Sequence, residues 1–248
     1  MSNTLTDRSF WSKYWESKKG LAFSVNRNYL FHQHLSAIVE KKQPAEAIEL
    51  GGFPGYYAIF LKKHFHISST LLDYFVHPGI LQQVLQANGL TEGDIHVIEA
   101  DLFNCSTPQQ YDLVLSCGLI EHFNDTRDII QRHVQFVKPG GTLFITLPNF
   151  RGVNGWFQKE FDLENYEKHN IASMDPDLLR SIAVELNLKD VKASYYGGFS
   201  VWLENKNSVS ALTKLFMKSV WFAGKVITKT FRFESRALSP YIVLQATK

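Results

Sequence analysis

Short apolar runs alternate with helical segments between residues 46 and 149, and this alternation constrains the fold more than any other feature of the chain. The apolar runs have the length and composition of buried strands: AIEL (47–50), STLLDYF (69–75), HVIEADLF (96–103), YDLVLS (111–116) and TLFITLPN (142–149). Such alternation predicts parallel strands joined by crossover helices. With two later strands, VKASYYGG and PYIVLQATK, it predicts an α/β fold with a doubly wound, mostly parallel seven-stranded sheet. A ligand is expected beyond the carboxyl ends of the strands.

The segments outside this alternation predict the domain organisation. Residues 1–45 are rich in aromatic residues and histidine and show no strand pattern, which indicates an N-terminal helical cap. Residues 46–248 then form one domain with two additions. These are a polar and aromatic loop at 150–174 and a helical insertion at about 205–235, between the last two strands. Loops as long as the first usually carry function or act as a lid.

Composition and charge exclude several classes of protein. The formal net charge of +2 argues against a surface that binds polyanions throughout, so no specific nucleic acid is expected. Cys105 and Cys117 form no CxxC pair, which favours a reducing compartment. No apolar run approaches the roughly 18 residues of a membrane span, and the N-terminus lacks the pattern of a signal peptide. The sequence therefore predicts a cytoplasmic protein.

The turn after the first strand, ELGGFPG (49–55), is rich in glycine but matches no phosphate-binding fingerprint. It fits neither GxGxxG nor GxxxxGK[ST]. Its leading residue, Glu49, would oppose a phosphate but suits an amine or a hydroxyl. Asp73 ends the second strand, where a carboxylate can accept both hydroxyl protons of a ribose, and Asp101 ends the third. Three acidic strand ends indicate a nucleoside that carries no phosphate and is positively charged elsewhere.

These motifs, in this order and with the segments YDLVLSCGLIEHFND and VKPGGTLF, resemble the class I S-adenosylmethionine-dependent methyltransferases. The resemblance covers residues 46–149 and extends to the two late strands. It implies S-adenosylmethionine as the methyl donor and S-adenosylhomocysteine as the product. One departure is that Phe53-Pro54 interrupts the family's usual (D/E)xGxGxG loop.

The resemblance also implies a role for each cofactor-binding residue. Glycine would let the backbone pass beneath the methionine part at Gly51, Gly52 and Gly55. Glu49 would support the amino group, and Asp73 would bind the ribose diol. Asp101 and Leu102 would flank the adenine. Ser116 and Cys117 would border the sulfonium.

Candidate catalytic residues lie after the fourth and fifth strands, where the methyl acceptor would bind. His122 and His169 are candidate bases, because the ordinary pKa of histidine is close to neutral pH. Each also has a structural interpretation: His122 can close the cofactor pocket, and His169 can anchor its loop. A related subset binds a divalent metal through Glu-x-x-Glu-His, but Gly118 replaces the first glutamate. Glu121 and His122 alone make a poor site, so no metal is predicted.

Three residues of the 150–174 loop are candidates for binding the acceptor. The guanidinium of Arg151 suits a carboxylate or phosphate, although a surface salt bridge is an equal alternative. Trp156, with Asn154 nearby, has the composition of a sugar-binding platform.

The helical segment at about 209–230 has a basic side and an apolar side. At roughly 100° per residue, its basic side chains fall within about 60° of one another. They are Lys214, Lys218, Lys225, Lys229 and Arg232. The opposite side carries Leu212, Leu215, Phe216, Val220, Phe222, Val226 and Ile227. Two interpretations stay open: a lid packed on the domain through its apolar side, or a peripheral contact with anionic lipid or an anionic substrate.

Together these features predict an S-adenosylmethionine-dependent methyltransferase that methylates an oxygen of a small molecule or saccharide. A methyltransferase acting on RNA or protein is one alternative. A non-catalytic module that binds the cofactor is another. The sequence gives no indication of the oligomeric state.

Overall fold

The computed structural model describes residues 4–105, 109–205, 209–231 and 233–248. Seven strands form one sheet in the order β3-β2-β1-β4-β5-β7-β6. Their bounds are β1 Glu46–Leu50, β2 Ser68–Asp73, β3 Ile95–Glu99, β4 Tyr111–Cys117, β5 Val137–Pro148, β6 Lys189–Tyr196 and β7 Tyr241–Thr247. Strands β1 to β5 are parallel, and β7 runs antiparallel to both β5 and β6. The predicted fold class is confirmed.

Helices cover both faces of the sheet. They are α1 Arg8–Ser17, α2 His32–Lys42, α3 Tyr56–Phe65, α4 Pro78–Ala87, α5 Thr126–Phe136, α6 Val153–Phe161, α7 Leu163–Glu167, α8 Pro176–Glu185 and α9 Ala211–Phe231. Helices α2, α3 and α4 pack in one apolar cluster, and α5 and α8 pack in another. Several helices begin where the sequence offers a cap: Asp125 accepts a hydrogen bond from the Asp128 N–H, and Pro176 occupies the first turn of α8.

The structure corrects one local expectation and adds one feature that the apolar runs did not show. The added feature is the start of β5: α5 ends at Phe136, and residues 137–141 already belong to the strand. The segment 150–174 was expected to be a loop, and it contains α6 and α7. In α6 the buried Phe157 and Gln158 are fixed by packing against residues distant in sequence, so local polarity gave little sign of the helix.

The N-terminal segment packs across the carboxyl ends of the strands. Thr4 forms a bridge with Phe123, and the Leu5 N–H donates to the His122 carbonyl. The Trp15 ring packs edge-on against Phe53 of the glycine turn, with ring centroids 5.2 Å apart. Residues 4–17 thus roof the sheet edge where the ligand is expected. The predicted boundary at residue 45 between cap and domain stays a prediction.

Within the described ranges, no helix has both the length and the apolar character that crossing a membrane requires.

Candidate active site

Three cavities lie at the carboxyl ends of the strands, and Trp11 and His122 line all three. The first has a volume of about 430 Å³ and is bordered by the ends of β2 and β3. The second, about 330 Å³, lies over the glycine turn. The third, about 110 Å³, lies between α1 and residues 165–169. Since β1 and β4 are neighbours, these cavities lie at the switch point where ligands bind in doubly wound sheets.

Glu49 lies at the base of the second cavity and is almost completely buried. Its Oε2 accepts a hydrogen bond of 2.7 Å from the Ala58 N–H, in the first turn of α3. Burial raises the pKa of the Glu49 carboxyl to about 8, an effect that the Ala58 N–H opposes and the Asp73 charge reinforces. A cationic group entering this cavity would meet a buried acid that its charge can ionise.

The glycine turn brings backbone close to that carboxylate. A Cβ at Gly52 would overlap the Glu49 carboxyl, and a Cβ at Gly51 would overlap the Leu119 side chain. Gly51 also has a φ of +60°, which favours glycine. Gly55 precedes α3 with a φ of +90° and lines neither of the two larger cavities. Gly51 and Gly52 therefore shape the pocket, whereas Gly55 shapes the turn.

Asp73 ties the end of β2 to the glycine turn. Its Oδ2 accepts from the Phe53 N–H at 2.8 Å, and its Oδ1 accepts from the Phe75 N–H at 3.0 Å. Each carboxylate oxygen has a second lone pair, and Asp73 lines the first cavity. Burial raises the pKa of Asp73 to about 6. The Phe-Pro interruption is thereby explained in part: the Phe53 backbone is held by the acid expected to bind ribose.

Asp101 and Leu102 also line the first cavity. The Asp101 carboxylate accepts from the Phe103 N–H at 2.9 Å and from the Asn104 side chain at 3.0 Å, which fixes the turn after β3. Opposite them, Arg8 of α1 forms an ion pair with Glu99 at the end of β3. The first cavity is thus closed from above by α1.

The two predicted residues of β4 take different positions. Cys117 lines the second cavity, and burial raises the pKa of its thiol, so it is a neutral, nonreactive wall of the pocket. Ser116 is fully buried, and its hydroxyl lies 2.9 Å from His133 Nε2, inside the domain. Ser116 therefore supports β4 and does not line the three cavities.

His122 and His169 lie side by side, with ring centroids 4.7 Å apart, and both line the third cavity. The Nδ1 atoms of the two rings lie 3.0 Å from the Lys168 carbonyl and 2.7 Å from the Asn165 carbonyl, respectively. A carbonyl oxygen can only accept, so each Nδ1 carries the ring proton and each Nε2 keeps a lone pair. Burial lowers the pKa of His122 to about 3 and also lowers that of His169. Both rings are neutral.

Glu121 adds a carboxylate to this pair. Ligand atoms of Glu121, His122 and His169 all lie within 4.8 Å of one another, and Glu121 Oε2 has no hydrogen-bond partner among the described residues. The prediction that no metal binds counted Glu121 and His122 alone. Because the fold adds a third possible ligand, His169, that reason no longer holds. The absence of a metal stays a prediction.

The three predicted acceptor residues line none of the three cavities. Arg151 forms an ion pair with Asp175 at the start of α8, which is the salt-bridge alternative. Asn154 is buried, and its side chain accepts from the Trp202 N–H at 3.0 Å. Trp156 packs against Phe157 and Phe216, away from the cleft.

Other side chains form the walls of the third cavity: Phe10, Trp11, Tyr14, Phe150, Trp202 and Glu204. The Tyr14 hydroxyl donates to Glu204 at 2.8 Å, and Lys18 forms an ion pair with the same carboxylate. Phe10, Trp11 and Tyr14 belong to the aromatic run FWSKYW, which was predicted only to form part of a cap. Trp202 and Glu204 lie in a segment without any local functional pattern.

The two larger cavities suit the donor that the resemblance implied. Gly52, which lacks a side chain, lets the Glu49 carboxyl lie directly against the glycine turn. Asp73 and Asp101 stand at adjacent strand ends, and the remaining lining is mostly apolar or aromatic, with Thr4, Thr6, Asp7 and His122 as its polar members. With this sheet order, the site defines a class I S-adenosylmethionine-dependent methyltransferase fold. The model of the methyltransferase-domain family matches residues 24–193, and the chain belongs to this family.

Solved structures agree on the fold. A S-adenosylmethionine-dependent methyltransferase from Archaeoglobus fulgidus superimposes with a TM-score of 0.57 at 16% identity, over 98% of this chain and 100% of that chain. A phosphoethanolamine N-methyltransferase from Haemonchus contortus, in complex with phosphomonomethylethanolamine and S-adenosylhomocysteine, gives a TM-score of 0.57 at 14% identity. That match covers 87% of this chain and 52% of the other.

Among curated proteins, a ubiquinone biosynthesis O-methyltransferase from Leptothrix cholodnii is 34% identical over 71 residues. The match covers 27% of this chain and spans 30% of the length of that relative.

Proposed function

We propose that this protein transfers a methyl group from S-adenosylmethionine to a hydroxyl oxygen of a small molecule or saccharide. The observation that carries the proposal is the position of His122 and His169. Two neutral imidazoles, whose Nε2 atoms make no hydrogen bond within the described part of the chain, line an aromatic cavity that adjoins the pocket over Glu49.

The donor half of the cleft, consisting of Glu49, the glycine turn, Asp73 and Asp101, would hold the cofactor. Its Glu49 carboxylate would face the amino group, and Asp73 would accept from the ribose hydroxyls. When bound, the cofactor supplies an electrophilic methyl group on a sulfonium. Transfer of this methyl requires above all that an oxygen be held in line at roughly 3 to 3.5 Å.

The acceptor half, consisting of His122, His169 and the walls of the third cavity, would position that oxygen. An Nε2 lone pair accepts a hydrogen bond from the acceptor hydroxyl and directs an oxygen lone pair toward the methyl group. The proton released on transfer can pass to the imidazole pair and onward to solvent. A hydroxyl needs this assistance, whereas a neutral amine brings a free lone pair. The name of the curated relative, an O-methyltransferase, also supports oxygen.

The size and the aromatic lining of the acceptor half support a small acceptor. The third cavity is about 110 Å³ and lies beneath α1, whose Phe10, Trp11 and Tyr14 line it. Aromatic walls of this kind suit a ring or a sugar face. An RNA or a folded protein would have to present a single group through this opening.

Labelled methyl transfer from S-adenosylmethionine into separated small-molecule, glycan, RNA and protein fractions tests the proposal. We expect label in a small-molecule or glycan fraction, at an oxygen by mass spectrometry of the product. Label in RNA or protein would contradict the proposed acceptor. Cofactor binding by calorimetry without label in any fraction would indicate a binding module.

A chelator tests the expectation that no metal takes part. We expect turnover to survive treatment with a chelator, since the imidazoles act directly. Loss of turnover that a divalent cation restores would assign Glu121, His122 and His169 as its ligands.

A further inference from the structure

Helix α9 meets the rest of the protein along a narrow side. Gly224 and Thr228 are its buried residues. A Cβ at Gly224 would overlap the Phe199 ring, and the Thr228 hydroxyl accepts from the Phe199 N–H at 3.2 Å. Met217 and Val220 are partly buried against the same cluster. The contact therefore uses one edge of the apolar side, at Val220 and Phe216, and leaves the rest of that side outside it.

The broad apolar side faces solvent. The exposed fractions are 79% for Leu212, 66% for Phe222 and 69% for Phe231. Leu215, Val226 and Ile227 are also exposed, whereas the half-exposed Phe216 ring packs against Phe157 and Trp156 of α6. The interpretation in which a lid packs its whole apolar side on the domain is therefore wrong. Exposed apolar surface on this scale marks an interaction site or a membrane contact.

The charge of α9 is of one sign. Between Glu204 and Glu234 the sequence contains no acidic residue. Lys214, Lys218 and Lys229 are exposed, and the Lys225 ammonium lies 5.5 Å from the centre of the Trp221 ring. At roughly 100° per residue these lysines follow one long edge of the apolar face. Arg232, which the sequence placed in the same row, lies outside the described residues.

The exposed apolar face and the row of lysines together distinguish between two possible partners of α9, a second copy of the helix and an anionic membrane. A second copy of α9 would cover the apolar face but would bring a second row of lysines without any acidic residue of the helix to compensate it. An anionic membrane covers the apolar face with acyl chains and supplies phosphates to the lysines. Long lysine side chains reach headgroups while their stems stay in apolar surroundings. Charge complementarity therefore favours lipid.

We propose that α9 docks on an anionic membrane surface. The helix lies in the plane of the interface, with its apolar face at the boundary between headgroups and acyl chains and its lysines at the phosphates. This inference does not depend on methyl transfer. It does bear on the acceptor half, because Phe199, which packs on Gly224, lies three residues before Trp202 of the third cavity.

Flotation with lipid vesicles tests the docking. Wild-type protein is incubated with vesicles of phosphatidylcholine alone or of phosphatidylcholine with phosphatidylglycerol. We expect flotation with the anionic vesicles, decreasing as salt is raised. The double variant Leu212→Glu/Phe222→Glu should lower the partition coefficient by about tenfold or more, and Lys214→Glu/Lys218→Glu should remove the preference for anionic lipid.

Matched controls change exposed residues elsewhere. Val184→Glu on α8 controls for the loss of an exposed apolar side chain, and Lys41→Glu/Lys42→Glu on α2 controls for the change of charge; both should float like the wild type. Circular dichroism checks folding, and sedimentation checks oligomeric state. The proposal is overturned if wild-type protein does not float, if the α9 variants float like the controls, or if the protein is a dimer that Phe222→Glu dissociates.

Discussion

The donor half and the acceptor half of the cleft are held together in different ways. In the donor half, carboxylates at the ends of adjacent strands are fixed by backbone N–H groups, as the Ala58 N–H fixes Glu49 and the Phe53 N–H fixes Asp73. In the acceptor half, side chains from distant segments hold one another, as Tyr14 of α1 holds Glu204. The donor half is thus part of the sheet, whereas the acceptor half depends on how α1, α7 and residues 199–205 pack.

Because the two halves are held together by different contacts, substitutions in each half should affect different measured properties. A change in the donor half should weaken cofactor binding, because the proposed contacts with the cofactor lie there. A change in the acceptor half at a residue that lines neither donor cavity, such as His169, should lower turnover and leave cofactor affinity intact.

The largest effect is expected from the acceptor half. His122→Gln or His169→Gln should lower kcat by roughly 10²- to 10³-fold, the size typical of losing a group that assists proton transfer. The double variant should lose little more, because the two rings act as one unit. For His169→Gln, whose ring lines the third cavity and neither donor cavity, cofactor affinity by calorimetry should stay within about twofold of the wild type. His96→Gln, at an exposed histidine of β3, is the control. Full activity of both single variants would contradict the proposal that His122 and His169 assist proton transfer.

In the donor half, Gly52→Ala should be the most damaging change. The added Cβ would overlap the buried Glu49 carboxyl, so the carboxyl must leave its hydrogen bond with Ala58. We expect the free energy of unfolding to fall by roughly 2 to 4 kcal/mol and cofactor binding to become undetectable. Gly93→Ala, where nothing lies within 4 Å of the new Cβ, should change neither. Normal binding by the Gly52 variant would show that the turn adapts.

Asp73→Ala should weaken cofactor binding by roughly 1.5 to 3 kcal/mol, since hydrogen bonds to a charged group are lost. Part of this loss should come from the glycine turn, because the Phe53 N–H loses its acceptor. Asp73→Asn keeps one acceptor oxygen and should lose less. Calorimetry measures both variants. An unchanged cofactor affinity in Asp73→Ala would contradict the assignment of Asp73 to the ribose.

The smallest effect is a pH dependence of binding. Burial raises the pKa of Glu49 to about 8, so the folded protein without cofactor holds a proton there at neutral pH. A cation bound beside Glu49 favours the ionised form, so binding should release that proton and tighten as pH rises from about 6.5 to about 8. Calorimetry in buffers of different ionisation enthalpy measures the release, and Glu49→Gln should abolish it.

The same pKa shift has a consequence for stability, with the opposite sign. Since the folded pKa of Glu49 lies above the ordinary glutamate value of 4.5, the unfolded chain loses this proton first as pH rises. The protein without cofactor should therefore lose stability between about pH 4.5 and about pH 8, by up to about 1.4 kcal/mol per pH unit. Denaturant titrations of wild type and Glu49→Gln compare the slopes, and equal slopes would contradict the assignment.

The strands and the donor half could be predicted because each signal is local. All seven strands lie where apolar runs predicted them, and Glu49, Asp73 and Asp101 lie at strand ends because a parallel sheet aligns these ends at one edge. Ser116 was misplaced by the same reasoning. Its neighbour Cys117 faces the cavity, but alternation along β4 turns Ser116 to the other side, toward His133.

The acceptor half could not be predicted from local patterns. The segment 150–174 has the polarity of a loop, yet buried contacts of Phe157 and Asn154 with residues 199–205 make α6 part of the scaffold. No sequence pattern pairs Tyr14 with Glu204, because the two residues are far apart in the sequence and only the fold brings them into contact. The periodicity of α9 revealed its two sides but not which of them faces the domain.

The sequence by itself determined the sheet, the acidic strand ends and the chemical class of the donor, because strand periodicity and strand-end position are properties of short segments. Tertiary structure alone decided that His169 lies beside His122, that α1 roofs the cleft and that the apolar face of α9 is left exposed. Each of these depends on which of several apolar surfaces pack together. That choice is made by the free energy of the whole core and not by any one segment.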